Sequence, residues 1–415
     1  MANVSPFSAL RPALSLADKI AALPYDVMTS EEARDMVKDN RYSFLHIDKA
    51  EIDLDKNVDI YSDAVYKKAR QNLDKMIDEG WFVKDIEPFY YIYRLTRNGQ
   101  SQSGLVACAG IDDYLDGTIK KHELTRADKE EDRIRHVDTT NAQTGPIFLT
   151  YKHSDDMTKV ISDWQAKNEP IYDFVAEDGV VHTVWIIDKQ DTVNRITELM
   201  QKIPALYIAD GHHRAASAVK VGQMRREANP NYVGDEPYNG FLSVIFPSDE
   251  LYIMDYNRLV KDLNNLSQEE FLQKVGECFD VKYLPDIAEF TPETRHQFGM
   301  YLDGKWYSLD AKKALLQSDN PVDLLDVSIL QTNLLMPILG IDDPRTDSRI
   351  DFVGGIRGIG ELCRRVDSGE WSVAFSMFPT SMEELMDVSD KGMIMPPKST
   401  WFEPKLRSGL FINLL

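Results

Sequence analysis

Three dipeptides, Asn98-Gly99, Asp178-Gly179 and Asp303-Gly304, each stand between two short apolar runs. Tight connections whose twist matches that of the strands need positive φ, so a dipeptide of this type commits its flanks to antiparallel pairing. The flanks are "PFYYIYRLT" and "QSGLVACAGIDDYLDGTI", then the halves of "YDFVAEDGVVHTVWIID", then the halves of "GMYLDGKWYSL". Around them, apolar residues recur at helical spacing in "SEEARDMVKDN", "DAVYKKARQNLDKMIDEG", "DTVNRITELMQKI", "SQEEFLQKVGECF" and "DVSILQTNLLMPIL". Hairpins interleaved with helices predict an α+β (mixed α/β) protein rather than a regular doubly wound sheet. The segment "KIAALPYDVM" reads as extended, with a helix starting at Ser30.

One stretch, "ALYIADGHHRAAS" at 205–217, raises a question of charge. Its first residues suit a covered strand, Asp210-Gly211 is turn chemistry, and alanines and valines then recur at helical spacing until Asn229-Pro230. Asp210 is the expected N-cap. His212, His213 and Arg214 fall in the first helical turn, where cations are disfavoured by about 0.3–1 kcal/mol each. Either a ligand phosphate compensates them, held by free backbone amides, the arginine fork and imidazole donors, or Asp210 and surface carboxylates do.

The formal net charge of −21, from 68 acidic and 47 basic side chains, argues against nucleic acid and anionic membrane as partners. No apolar run reaches the roughly 18 residues of a membrane span, and the first residues lack a signal-peptide pattern. A cytoplasmic protein is expected. Cys108, Cys278 and Cys363 are odd in number and far apart, which suits reduced thiols.

Three known patterns are approached and missed. "HELTR" lacks the second zincin histidine, "PPKST" lacks the glycines of a P-loop, and "GGIRGIGE" spaces its glycines wrongly for a dinucleotide fingerprint. Three further polar clusters stand out. Asp26 lies in the apolar "LPYDVM", where a carboxylate needs a partner or a task. The stretch "KKHELTRADKEEDRIRHVDTTNAQTGPIF" crowds His122, Glu123, Lys129, Asp132, Arg133 and Asn141 before an apolar strand, a supply that could bind phosphate and a divalent ion, although a solvated helix of charge pairs looks the same. The loop "MPPKSTWFEPKLRSG" sets Lys398, Lys405 and Arg407 against one Glu403, with hydroxyls at Ser399 and Thr400. It is either a closing loop for an anion or a terminal strand with surface lysines.

Taken in order, "LPYDVMTSEEA", "HELT" with "KEEDR", "GPIF", "DGHHR" and "MPPKSTWFEPKLRSGL" resemble the DUF-1015 family of uncharacterised prokaryotic proteins, from about Pro6 to Leu410. The DGHHR segment is also similar to the phosphate-binding helix start of the ParB and sulfiredoxin superfamily, whose members include nucleotide-dependent free-serine kinases. That resemblance implies a nucleotide-binding core over 1–260 with an N-terminal elaboration, followed by an α+β region over 261–415 that contributes the basic loop. It implies phosphate binding at Gly211, His212, His213 and Arg214, and an acidic base matched by Asp26, with Glu31 or Glu32 as substitutes.

The expected protein is a Mg-dependent phosphotransferase acting between ATP or ADP and a small hydroxy metabolite, with free L-serine or O-phosphoserine favoured. Its catalytic set is Asp26, His213 and Lys398. Its phosphate ligands are Asp210, Gly211, His212, His213, Arg214, Lys398, Ser399, Thr400 and Lys405, and its metal candidates are Glu123 and Asp210. A nucleotide-binding regulator without turnover is the alternative.

Overall fold

The computed structural model describes residues 1–415, which divide into two compact units: Met1–Leu251 with Pro404–Leu415, and Tyr252–Glu403. The sequence boundary at 260/261 therefore falls inside the second unit, and the last residues belong to the first. Ile412 is the reason for the second difference. It is fully buried in a cluster with Leu10, Phe44, Leu73 and Phe82, so the C-terminal segment completes an apolar core formed by the N-terminal residues.

The first unit is built on a nine-stranded mixed sheet. In spatial order its strands are Ile119–Lys120, Leu206–Asp210, Ile147–Tyr151, Gly240–Pro247, Gln100–Gly110, Tyr90–Arg97, Val181–Ile187 and Tyr172–Val175, with Val4–Ser5 joining Gln100–Gly110. The hairpin at Asn98-Gly99 forms as expected, with φ of 51° and 80° at its two residues. The strands Tyr172–Val175 and Val181–Ile187 pair antiparallel around Asp178-Gly179. One face of the sheet is closed by Ile111, Met157, Trp164, Ile196, Ala215 and Val219, which pack with strand residues in one continuous core. The helices Ala127–Thr140 and His212–Ala228 lie against each other, and Ser217 Oγ donates to the Glu130 carbonyl at 3.2 Å.

Two local expectations change. "KIAALPYDVM" is not extended: Ala17–Ile20 is a helical turn and Tyr25–Val27 a single 3-10 turn after Pro24. The "ACAGIDDYLDGTI" run leaves the sheet at Gly110 and forms the short helix Ile111–Asp116, which Gly117 ends at φ 85°. Ile111 fills the core there, and a left-handed glycine stops a helix without Cβ strain.

The second unit holds a six-stranded antiparallel sheet in the order Phe279–Leu284, Lys305–Ala311, Gln297–Leu302, Val373–Met377, Tyr256–Val260, Ile350–Gly354. The hairpin at Asp303-Gly304 forms with φ of 49° and 71°. "SQEEFLQKVGECF" becomes the helix Gln268–Cys278, started by a capping box between Ser267 and Glu270. Together the units give the expected α+β class.

Candidate functional site

The strand Leu206–Asp210 passes through Gly211 into the helix His212–Ala228. Gly211, not Asp210, is the N-cap residue, at φ 95°, and no side chain caps the helix. Asp210 ends the strand instead, and its Oδ1 accepts from the Gly211 amide at 2.9 Å. Glycine is required here on two counts. A Cβ would stand in a strained left-handed conformation, and it would meet the Arg214 guanidinium at 3.1 Å.

The histidines do not supply the positive charge that their type suggests. His212 and His122 are both buried, edge to face with ring centroids 4.5 Å apart. Burial pushes His122 down to about 4 and His212 well below its ordinary value, the second helped by the neighbouring His122. His213 is lowered too, chiefly by burial, and its Nε2 accepts from the Arg126 amide at 3.0 Å. All three are neutral at pH 7 and cost nothing against the helix dipole.

Arg214 carries the charge. Its side chain is 11% exposed, its Nη1 donates to the Pro146 carbonyl at 2.5 Å, and its Nη2 lies 3.6 Å from Asp210. Burial opposes the guanidinium charge, but Asp210, Asp26, Tyr25 and Asp48 outweigh it and hold the group charged. Asp210 is shared: Lys405 Nζ approaches its Oδ2 at 3.4 Å. Burial again opposes ionisation, and Lys405 and then Arg214 keep this carboxyl well below the usual range. The Nε of Arg214 is buried without a partner, which is costly for a charged donor unless a ligand meets it.

Arg214 lines a pocket of roughly 470 Å3, a volume that includes its open mouth. The other polar walls are Tyr25, Asp48, Arg133, His136, Gln143, Thr144 and Ser408. Arg133 is a second buried guanidinium, bonded to Asp132 through Nε at 2.9 Å and stacked over the Tyr25 ring at 4.0 Å. Asp48 accepts from Thr144 Oγ1 at 2.7 Å. Tyr25 is pushed up to about 12, by burial first. The pocket gathers the segments quoted from the sequence: Tyr25 from "LPYDVM", Arg133 from "KEEDR", Ile147 from "GPIF", Arg214 from "DGHHR" and Ser408 from "KLRSG".

Other expected site residues lie elsewhere or have other work. Asp26 is exposed in the 3-10 turn, not buried in a strand, although its charge reaches both His213 and Arg214. Glu31 and Glu32 are in the first turn of the helix Ser30–Val37, which starts at the expected residue and is opened by a capping box between Thr29 and Glu32. Lys129 donates to the Tyr61 hydroxyl at 2.9 Å. Asn141 is a helix C-cap at φ 54°, and its side chain accepts from Arg225. Glu123 sits 3.6 Å from His212 with about half its side chain exposed, at 48%. Arg407 is buried and bonds Asp178 and His182.

No group of three or more His, Cys, Asp or Glu side chains is placed to hold a metal ion, so Glu123 and Asp210 do not form a metal centre of their own. Lys398, Ser399 and Thr400 belong to the second unit. There Lys398 is exposed at φ 58°, and its carbonyl accepts from the buried Arg258 at 3.0 Å.

Tyr25, Asp48, His136, Thr144 and Ser408 were missed. Only His136 left a signal, since Asp132, Arg133, His136, Val137 and Thr140 form one buried face at helical spacing, although their charge reads as solvated.

Residues 4–328 match the family described as protein of unknown function, DUF1015. The chain belongs to that family. No protein with a curated description matches it. Among solved structures, a free serine kinase in complex with AMP is similar at 15% identity and a TM-score of 0.35, covering 74% of this chain and 91% of its own. SbnI with a C-terminal truncation from Staphylococcus aureus is similar at 13% identity and a TM-score of 0.38, covering 74% and 87%. A conserved hypothetical protein from Pyrococcus furiosus is similar at 14% identity and a TM-score of 0.35, covering 75% and 95%. No helix of this DUF1015 member is long and apolar enough to cross a membrane.

Proposed function

We propose that the pocket beside Arg214 binds the phosphates of a nucleotide and that the chain transfers a phosphoryl group between ATP or ADP and a small hydroxy metabolite, with free L-serine favoured. The observation that carries this reading is the buried Nε of Arg214, a charged donor without a partner, at an uncapped helix start on a pocket wall. Open first-turn amides and a guanidinium fork suit phosphate oxygens. Arg133, the second guanidinium on that wall, suits charge that spreads over a phosphoryl group in transfer.

The buried charges balance within the protein, with Arg133 and Arg214 set among Asp132, Asp210 and Asp48 and with Lys405 on Asp210. A phosphate therefore competes with Asp210 for Arg214, and its arrival frees carboxylate charge beside Lys405. Magnesium, which supplies charge neutralisation on the transferring phosphates, would arrive bound to the nucleotide, since no three His, Cys, Asp or Glu side chains are grouped to hold it. Asp26, exposed to solvent and within electrostatic reach of His213, is the proposed acceptor of the hydroxyl proton.

The test is calorimetry with ATP, ADP and AMP, followed by mass spectrometry for O-phosphoserine formed from nucleotide and L-serine. A protein that binds no nucleotide at millimolar concentration refutes the reading. One that binds nucleotide and phosphorylates no hydroxy metabolite is the regulator instead.

A further inference from the structure

The strand Phe279–Leu284 is an edge of the six-stranded sheet, paired on one side only. Lys312 N donates to the Cys278 carbonyl at 3.2 Å, in the register that sets Phe279 against Ala311. Antiparallel ladders alternate, so Asp280, Lys282 and Leu284 bond inward to Lys305–Ala311, while the amides and carbonyls of Val281 and Tyr283 turn outward together with the Phe279 carbonyl. The Phe279 amide is already used, closing the preceding helix on the Val275 carbonyl. No backbone group elsewhere in the chain meets Val281 or Tyr283 from outside. A row of open groups of this kind is a template for another strand.

The side chains decide which strand fits. Asp280, Lys282 and Tyr283 are all exposed. Asp280 stands directly opposite Asp310, whose own donors are neutral, Gln297 at 3.1 Å and Ser308 at 3.3 Å. Like charges directly opposite are destabilising, and a cation beside Asp280 would relieve them. Lys282, on the same face, stands opposite Ser308. In a second copy docked antiparallel on this edge, only odd-numbered residues can face one another in bonded pairs. Centring that pairing on Val281 against Val281 sets Asp280 opposite Lys282 of the second copy, twice by symmetry, and Tyr283 opposite Phe279. Sliding one strand by two residues either way sets Asp280 against Asp280 or Lys282 against Lys282 instead. One register alone matches opposite charges.

We propose that this edge joins two copies of the chain in a two-fold dimer centred on Val281, with the sheet continuous across it. Each Val281 amide donates to the Val281 carbonyl of the other copy, and each Tyr283 amide to the other Phe279 carbonyl. The edge belongs to the second unit and uses no residue of the pocket beside Arg214, so its test is independent of the nucleotide reading.

The experiment is analytical ultracentrifugation of the full chain across a concentration series, with thermal unfolding of each variant to check its fold. The parent is expected to pass from the mass of one copy to that of two as concentration rises. Asp280→Lys and Lys282→Asp each put like charges at both contacts and should weaken association about tenfold or more. An equimolar mixture of the two variants should restore it, because every lysine then faces an aspartate. In the parent alone, the Val281 and Tyr283 amides should exchange hydrogen more slowly in concentrated than in dilute solution. A parent that stays monomeric up to about 100 μM overturns the proposal, since a weaker contact is no specific dimer. So does a dimer that both folded variants retain, a mixture that associates no better than its components, or a dimer whose Val281 amide exchanges as fast as the monomer's.

Discussion

Replacing Arg214 by alanine separates folding from function at the centre of the site. The variant loses the Nη1 bond to the Pro146 carbonyl and the 3.6 Å approach to Asp210, while Asp210 keeps Lys405 at 3.4 Å. The carboxylate is therefore not stranded, and the folding cost is that of one carbonyl left without its donor plus lost packing, about 1–3 kcal/mol. A domain with the usual 5–15 kcal/mol or so stays folded. The loss in nucleotide affinity is that of a charged hydrogen bond, about 1.5–3 kcal/mol, or roughly 10–150-fold in Kd. Arg214→Lys keeps the charge without the planar fork and should recover only a small part. Calorimetry with ADP at one fixed ionic strength, with thermal unfolding of each variant, reads both quantities. A folded Arg214→Ala protein that binds ADP as tightly as its parent refutes the argument, because the unpartnered Nε would then be only a packing defect.

Gly211→Ala should destabilise by about 1–3 kcal/mol and weaken ADP binding together, since the new Cβ sits at φ 95° and presses on Arg214 at 3.1 Å; denaturant titration and calorimetry check it. Asp26→Asn should lower turnover by roughly 10²–10⁴ with ADP affinity kept, and equal rates in a coupled assay would move the base elsewhere. His122 and His182 are held at about 4 and about 3 by burial, whereas unfolded imidazole titrates near 6.5. Below about pH 6.5 the unfolded chain gains protons the folded chain refuses, so stability present at neutral pH falls by about 1.4 kcal/mol per pH unit for each histidine. Urea midpoints at pH 7.5 and 5.5 measure this slope, and His122→Leu should make it shallower.

The strand-to-helix passage at DGHHR, two of the tight hairpins and most of the helices are written locally, because positive-φ dipeptides and apolar periodicity act on neighbours in sequence. Arg214 could be placed in the first helical turn for the same reason, as its position follows from Gly211. What the string of residues could not show is which charges are buried. His122, His212 and His213 read as cations, and the fold makes them neutral by taking them out of water. The acid-base run from Lys120 to Arg135 reads as a solvated face, yet Asp132, Arg133 and His136 are buried because the helix packs against both Asp63–Asp78 and His212–Ala228. Asn141 and Lys129, equally polar on paper, went to a helix end and a surface tyrosine. Asp48 and Ser408 had no local signature at all. They meet at one pocket only because the chain's last residues return to the first unit, a long-range closure that depends on where Ile412 finds its apolar partners.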